Sequence, residues 1–180
     1  MAWLGLDLSL TATGFFLLRD DGSNKNCEIN TDPKRFPSLI KRVSAIADKV
    51  VENLDGEKID LVLMEDYYVG QFAQSVITLS ALGTMVRHNL LKNGYRYITA
   101  KPATIKKFES GSGASKKGNM IKDVFKHHGF DTSSDNIADA CAMAYFCKAY
   151  WDNAHGDTDF TKAQLESLKV LGKTKVEEPY

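Results

Sequence analysis

The unbroken apolar run Leu61-Val62-Leu63-Met64, inside "IDLVLME", constrains the fold of this chain more than any other stretch. A strand sends successive side chains to opposite faces, so four apolar residues in a row ask for cover on both. That cover implies a sheet with helices above and below it. Upstream, in "AWLGLDLSLTATGFFLL", Leu4, Leu6 and Leu8 alternate with Trp3, Gly5 and Asp7, the period of a strand, and Phe15 to Leu18 continue apolar. Strands are expected near 2–8 and 14–19, with Asp21-Gly22 turning the chain towards a third around 27–30.

Leu39, Val43, Ile46, Ala47, Val50 and Leu54 then recur at helical spacing, and Gly56 stands just past the end as a stop. A second helix is expected over about 71–93, a fifth strand in "YRYITA", a short helix after Pro102, and helices over 118–128 and 136–150. The expected architecture is α/β: a central mixed five-stranded sheet whose first three strands are antiparallel, with helices on both faces. Residues 1–152 would form it. Residues 153–180 read as an extension with a short amphipathic helix, opened by the capping-box pattern Thr161 to Gln164, and a disordered end.

At 180 residues the chain can bury a core without disulfides. Cys27, Cys141 and Cys147 are odd in number and show no CxxC spacing, as expected of a reducing compartment, the cytoplasm. The apolar opening lacks the basic lead of a signal peptide and is broken by Gly5, Asp7 and Gly14. No apolar run is long enough to cross a membrane. Net charge is zero, which argues against a generally basic nucleic-acid binder, but its distribution is uneven. Between Arg87 and Lys126 ten lysines and arginines face two acids, Glu109 and Asp123. Such a segment suits a polyanion as well as a solvated helix surface.

Four acids stand out, two of them in apolar strands where an acid is costly. Asp7 interrupts an apolar strand and Glu65 ends another. If those strands are neighbours, both carboxylates emerge on one side of the sheet. In "SSDNIADACAMAYF", Asp135 and Asp139 are four apart and share a helix face, with Ala138 and Ala142 small enough for close approach to the sheet. Converging carboxylates without matching cations repel one another, and hard divalent ions such as Mg²⁺ relieve that repulsion. Asp135, after Ser133 and Ser134, equally reads as a helix N-cap, and Asp66 as a neighbouring surface acid.

"LGLDLSLTATGF", "VLMEDYY", "KKFESGSGASKKGNMI" and "DNIADACAMAY" together resemble, in order and spacing, the motifs of RuvC-type Holliday junction resolvases, particularly the small phage-type members. The resemblance covers residues 3 to about 148. It implies an RNase H-like fold, a homodimer, and symmetric nicking of four-way DNA junctions by two divalent ions, Mg²⁺ or Mn²⁺, per active site, with cleavage of other branched DNA left open. It also implies action in the cytoplasm, that of a bacterial host for a phage protein.

Carried over, Asp7, Glu65 and Asp139 match metal ligands. The family's remaining acid falls three residues before Asp139, where this chain has Asn136, so that either Asp135 or Asn136 would serve. Lys117, and Lys116 beside it, match the basic residue after the Gly/Ser loop, with Lys117 near the scissile phosphate. Lys106 or Lys107 matches an earlier one, and Tyr68 an aromatic at the junction centre. Other RNase H-like nucleases acting on flaps or RNA–DNA hybrids remain alternatives, as does an actin-like ATPase in which "DLSLTATG" cradles phosphate. A catalytically silent junction binder is a further one.

Overall fold

The computed structural model describes residues 1–67, 73–113 and 119–180. The chain begins with an antiparallel meander of β1 (Ala2–Asp7), β2 (Ala12–Arg19) and β3 (Asn24–Asn30). Helix α1 (Leu39–Glu52) leads to β4 (Leu61–Glu65), and α2 (Ala73–Lys92) leads to β5 (Tyr97–Ala100). Four more helices follow: α3 (Pro102–Ser110), α4 (Asn119–His128), α5 (Asp135–Ala154) and α6 (Lys162–Leu171). The strands lie in the order β3-β2-β1-β4-β5, with β4 and β5 parallel to β1. This is the expected mixed sheet with an antiparallel edge.

Alternation along each strand divides the core into two layers. Leu4, Leu6, Phe15, Leu17, Val62 and Met64 face one way and pack with α1 and α2. Trp3, Phe16, Leu18, Leu61, Leu63 and Ile98 face the other way, towards α5 and the helices around it. The apolar run in β4 is thus covered on both faces, because its even and odd positions serve different layers.

Helix α5 lies directly on β1 and β2, and two glycines make this possible. A Cβ at Gly5 would fall 2.0 Å from the carbonyl oxygen of Ala140, and one at Gly14 would fall 2.1 Å from that of Asn136. Ala138 and Ala142, expected to allow the close approach, are fully buried, but Asn136, Ala140 and Ala144 are the residues seated on the glycines.

Helix α6 begins with the capping box expected at Thr161 and Gln164. Beyond it, Glu177 pairs with Tyr97 at the outer edge of β5, within the end that composition alone would leave disordered. Among the described residues, no helix is long and apolar enough to cross a membrane.

Candidate active site

Sheet register builds the site. Asp7 pairs with Gly14 across β1 and β2, and Gly14 pairs with Glu28 across β2 and β3. On the other side of β1, Leu6 pairs with Met64 in parallel register, and Asp7 and Glu65 each follow by one residue. Glu28, Gly14, Asp7 and Glu65 therefore form one row across the sheet. Directly opposed residues share a face, and Gly14 faces α5, so the three acids of that row face α5 as well. The vacancy above Gly14 receives the first turn of that helix.

The turn after Asp7 is stitched by Thr13. Its Oγ1 donates to the carbonyl of Ser9 at 2.7 Å and accepts from the Ser9 amide at 3.1 Å. Thr13 is fully buried. The motif spacing from Asp7 to Thr13-Gly14 thus has a physical content: an acid at the strand end, a hydroxyl that closes the return, and a glycine that admits the helix.

Glu65 is half-buried, and its carboxyl is held above the usual carboxylate range, first by burial and then by the charge of Asp139; Lys106 pulls in the opposite direction. Asp139 from α5 and Glu65 from β4 are therefore electrostatic neighbours, and the charge of Lys106 of α3 also reaches Glu65. Lys107 pairs instead with Glu166 of α6. Asp135 is exposed at the first position of α5, whose N-cap is Ser134, not Asp135; Ser134 Oγ accepts from the Ile137 amide at 3.1 Å. Tyr68, Lys116 and Lys117 lie outside the described residues.

Hard oxygen donors that repel one another in a half-buried setting match a divalent cation chemically. Among the described residues, no three His, Cys, Asp or Glu side chains converge closely enough to hold an ion as they stand. The fit lies in the shared row and in the mutual repulsion of Glu65 and Asp139.

Two further residues belong to this neighbourhood. Arg87 of α2 donates through Nη2 to the Glu65 carbonyl at 2.9 Å. Glu28 accepts from Asn136 Nδ2 at 3.2 Å and from Ser134 Oγ. Sequence reasoning passed over Glu28 because "NKNCEIN" looks like a solvated edge. The available signal was its alternation, with Cys27 and Ile29 facing α1 and α2 and Glu28 facing the other way.

A five-stranded mixed sheet in this order, with α5 laid on its first strand and acids at the strand ends, defines an RNase H-like fold. A family model for crossover junction endodeoxyribonuclease RuvC matches residues 3–147. Mycobacterium leprae crossover junction endodeoxyribonuclease RuvC is 25% identical over 150 residues, which cover 80% of this chain and 79% of that protein. The Mycobacterium ulcerans protein of the same name is 26% identical over 149 residues, with coverage of 80% and 81%. In structure, the chain is similar to Thermus thermophilus RuvC in complex with Holliday junction substrate. The TM-score there is 0.73 at 19% identity, covering 86% of this chain and 96% of that one. A second T. thermophilus RuvC structure gives a TM-score of 0.69 at 18% identity, covering 98% and 100%. The chain belongs to the RuvC family of crossover junction endodeoxyribonucleases.

Proposed function

We infer that this chain is a structure-selective endonuclease that resolves four-way DNA junctions by metal-dependent phosphodiester hydrolysis. The observation that carries the reading is the placement of Asp7 and Glu65 in one row facing α5, with Asp139 acting on Glu65 from that helix. Asp7, Glu65 and Asp139 would hold the ions, with Asn136 or Asp135 completing the set. When bound, two Mg²⁺ or Mn²⁺ ions supply Lewis acidity for a water nucleophile and for the departing 3′ oxygen.

The chain's own contribution is position and charge. Arg87 anchors the backbone of Glu65, and Lys106 offsets negative charge that builds on the phosphate. Lys117 would act beside the scissile phosphate, Lys116 along the DNA path and Tyr68 at the junction centre, with Lys107, paired with Glu166, contributing less than Lys106. Among the described residues nothing resembles a base-reading helix, and on this reading junction choice rests on DNA shape.

The remaining elements of the proposal are a homodimer that nicks opposing strands symmetrically, membership of the small phage-type group, and action in the cytoplasm. Family membership weighs against the actin-like ATPase reading of "DLSLTATG".

A mobile four-way junction and a matched linear duplex, each incubated with Mg²⁺, Mn²⁺ or EDTA, test the proposal. Paired nicks in the junction alone, lost in EDTA, are expected. Asp7→Asn and Glu65→Gln should abolish nicking while junction binding persists, since each removes charge but little volume. A folded variant of either kind that nicks at the wild-type rate would overturn the assignment.

A further inference from the structure

Where the family's remaining acid is expected, three residues before Asp139, this chain carries an amide, Asn136, and an amide presents a problem that a carboxylate does not. Its two ends are chemically opposite: Oδ1 accepts and can ligate a cation, whereas Nδ2 donates and cannot. An Asn at such a position works only if something fixes which end faces the acids.

Glu28 is placed to do this. It shares the sheet row of Asp7 through Gly14, and Asn136 lies over the gap that Gly14 leaves. Its Oε1 is 3.2 Å from Asn136 Nδ2 and also accepts from Ser134 Oγ. A carboxylate accepts only, so the amide end turned to it must be Nδ2, and Oδ1 is the end left over. Asn136 stands one helical turn before Asp139, on the same side of α5. Ser134 donates to Glu28 while its oxygen caps Ile137, so the same carboxylate also steadies the turn that carries Asn136.

We propose that Glu28 is a positioning residue for the ion site, holding the Asn136 amide so that Oδ1 serves as a neutral ligand beside Asp139 and Glu65. The proposal rests on the metal-dependent reading above and adds to it a residue outside the matched motifs.

The test is Mn²⁺ binding to the DNA-free protein by titration calorimetry, with metal-free melting curves as a check on folding. Glu28→Leu should weaken Mn²⁺ binding about tenfold, as the loss of a partner that orients a ligand commonly does. Glu28→Gln keeps an accepting oxygen and should stay within about threefold of wild type. Adding Asn136→Asp to Glu28→Leu should restore affinity, because a carboxylate ligates from either oxygen and needs no orienting. Should Glu28→Leu fail to fold, Asn136→Ala is expected to weaken binding to the same extent, with Ser134 still capping the helix.

Unchanged affinity in Glu28→Leu or in Asn136→Ala would overturn the proposal. So would a Glu28→Gln defect as large as that of Glu28→Leu, or no rescue by Asn136→Asp, which would leave Glu28 acting by charge or by stability alone. Binding lost in Glu65→Gln but intact in Glu28→Leu removes only the role of Glu28. Wild-type protein that binds no Mn²⁺, or binds it equally well as Glu65→Gln, overturns the ion site and this proposal with it.

Discussion

Arg87 donates through Nη2 to the backbone carbonyl of Glu65 at 2.9 Å, which ties helix α2 to the end of β4 just where the candidate metal ligand emerges. The guanidinium carbon lies 3.9 Å from the centroid of the Tyr67 ring, and the residue is 6% exposed. A buried cation is costly without an anion, and among the described residues Nη1 has no hydrogen-bond partner. The retained charge thus serves placement of Glu65 better than it serves stability.

Arg87→Met separates these two effects. It leaves the Glu65 carbonyl short of a donor but also removes a poorly solvated charge, so unfolding free energy should fall by only about 1–2 kcal/mol. Junction nicking should fall about tenfold, because a ligand shifted by a fraction of an ångström is no longer held for the ion. Urea denaturation and single-turnover nicking on one preparation check both. Unchanged nicking would remove Arg87 from the site.

Glu65 predicts a pH dependence with a definite sign. Folding raises its carboxyl above the usual range through burial and Asp139, so the group favours the folded state only while protonated. That contribution is complete below about pH 4 and is lost as pH climbs through the raised value. Metal-free Glu65→Gln should therefore melt above wild type at neutral pH, with the gap closing in acid. Divalent ions should raise the wild-type melting temperature and not that of the variant, and they should bind wild type less well as pH falls, because a proton competes for the ligand. Melting curves across pH, with and without Mn²⁺, test the sign directly.

Gly14 is a packing residue with a steric reason. An added methyl would stand 2.1 Å from the Asn136 carbonyl oxygen, on helix backbone that cannot swing aside as a side chain would. Gly14→Ala should destabilise the fold by about 3 kcal/mol, the upper end of overpacking costs. Gly22→Ala, at a turn with open space but φ of +82°, should cost only about 1 kcal/mol. Chemical denaturation of the pair ranks them, and equal costs would contradict the close seating of α5 on β2.

Much of this was legible in the sequence because the signals were local. Apolar alternation marked β1 and β2, the unbroken run marked β4, and the capping box opened α6 where Thr161 placed it. The acids Asp7 and Glu65 stood out because strands rarely hold acids in apolar runs. The hidden parts depend on register between distant segments. Glu28 joins Asp7 only through the pairing of three strands, and Gly5 and Gly14 read as interruptions until α5 is laid on them. The cluster of buried Glu109 with His127 at 3.1 Å and His128 at 3.0 Å was invisible for the same reason, since it forms between α3 and α4.

That cluster carries its own prediction. The Glu109 side chain is 1% exposed and meets a ring nitrogen of each imidazole, so Glu109→Leu leaves the partly buried His128 ring nitrogen without its partner, whereas the exposed His127 turns to water. Stability should fall by about 2 kcal/mol, since a partly buried polar group left without its partner loses more than the bond itself contributed. Glu109→Gln, which still accepts from one ring, should lose less. Denaturation midpoints of the two variants give the order, and a neutral Glu109→Leu would show that the cluster does not hold α3 to α4.

Lys106 and Lys107 are adjacent in sequence, and the structure gives them different work. The charge of Lys106 acts on Glu65, whereas Lys107 is paired with Glu166. If Lys106 lies against the DNA backbone, Lys106→Ala should reduce the slope of log affinity against log salt by about 0.9. Lys107, already neutralised, should change that slope far less and cost at most about 1 kcal/mol of stability, as partly exposed pairs do. A second readout is independent of DNA binding. Since Lys106 is the group pulling the Glu65 carboxyl down, its removal should let that carboxyl rise further and move the acid limb of the nicking profile to higher pH, while Lys107→Ala leaves the limb in place. Junction affinity across salt, together with nicking across pH, would assign the two lysines; the same slope and the same pH limb in both variants would contradict the division.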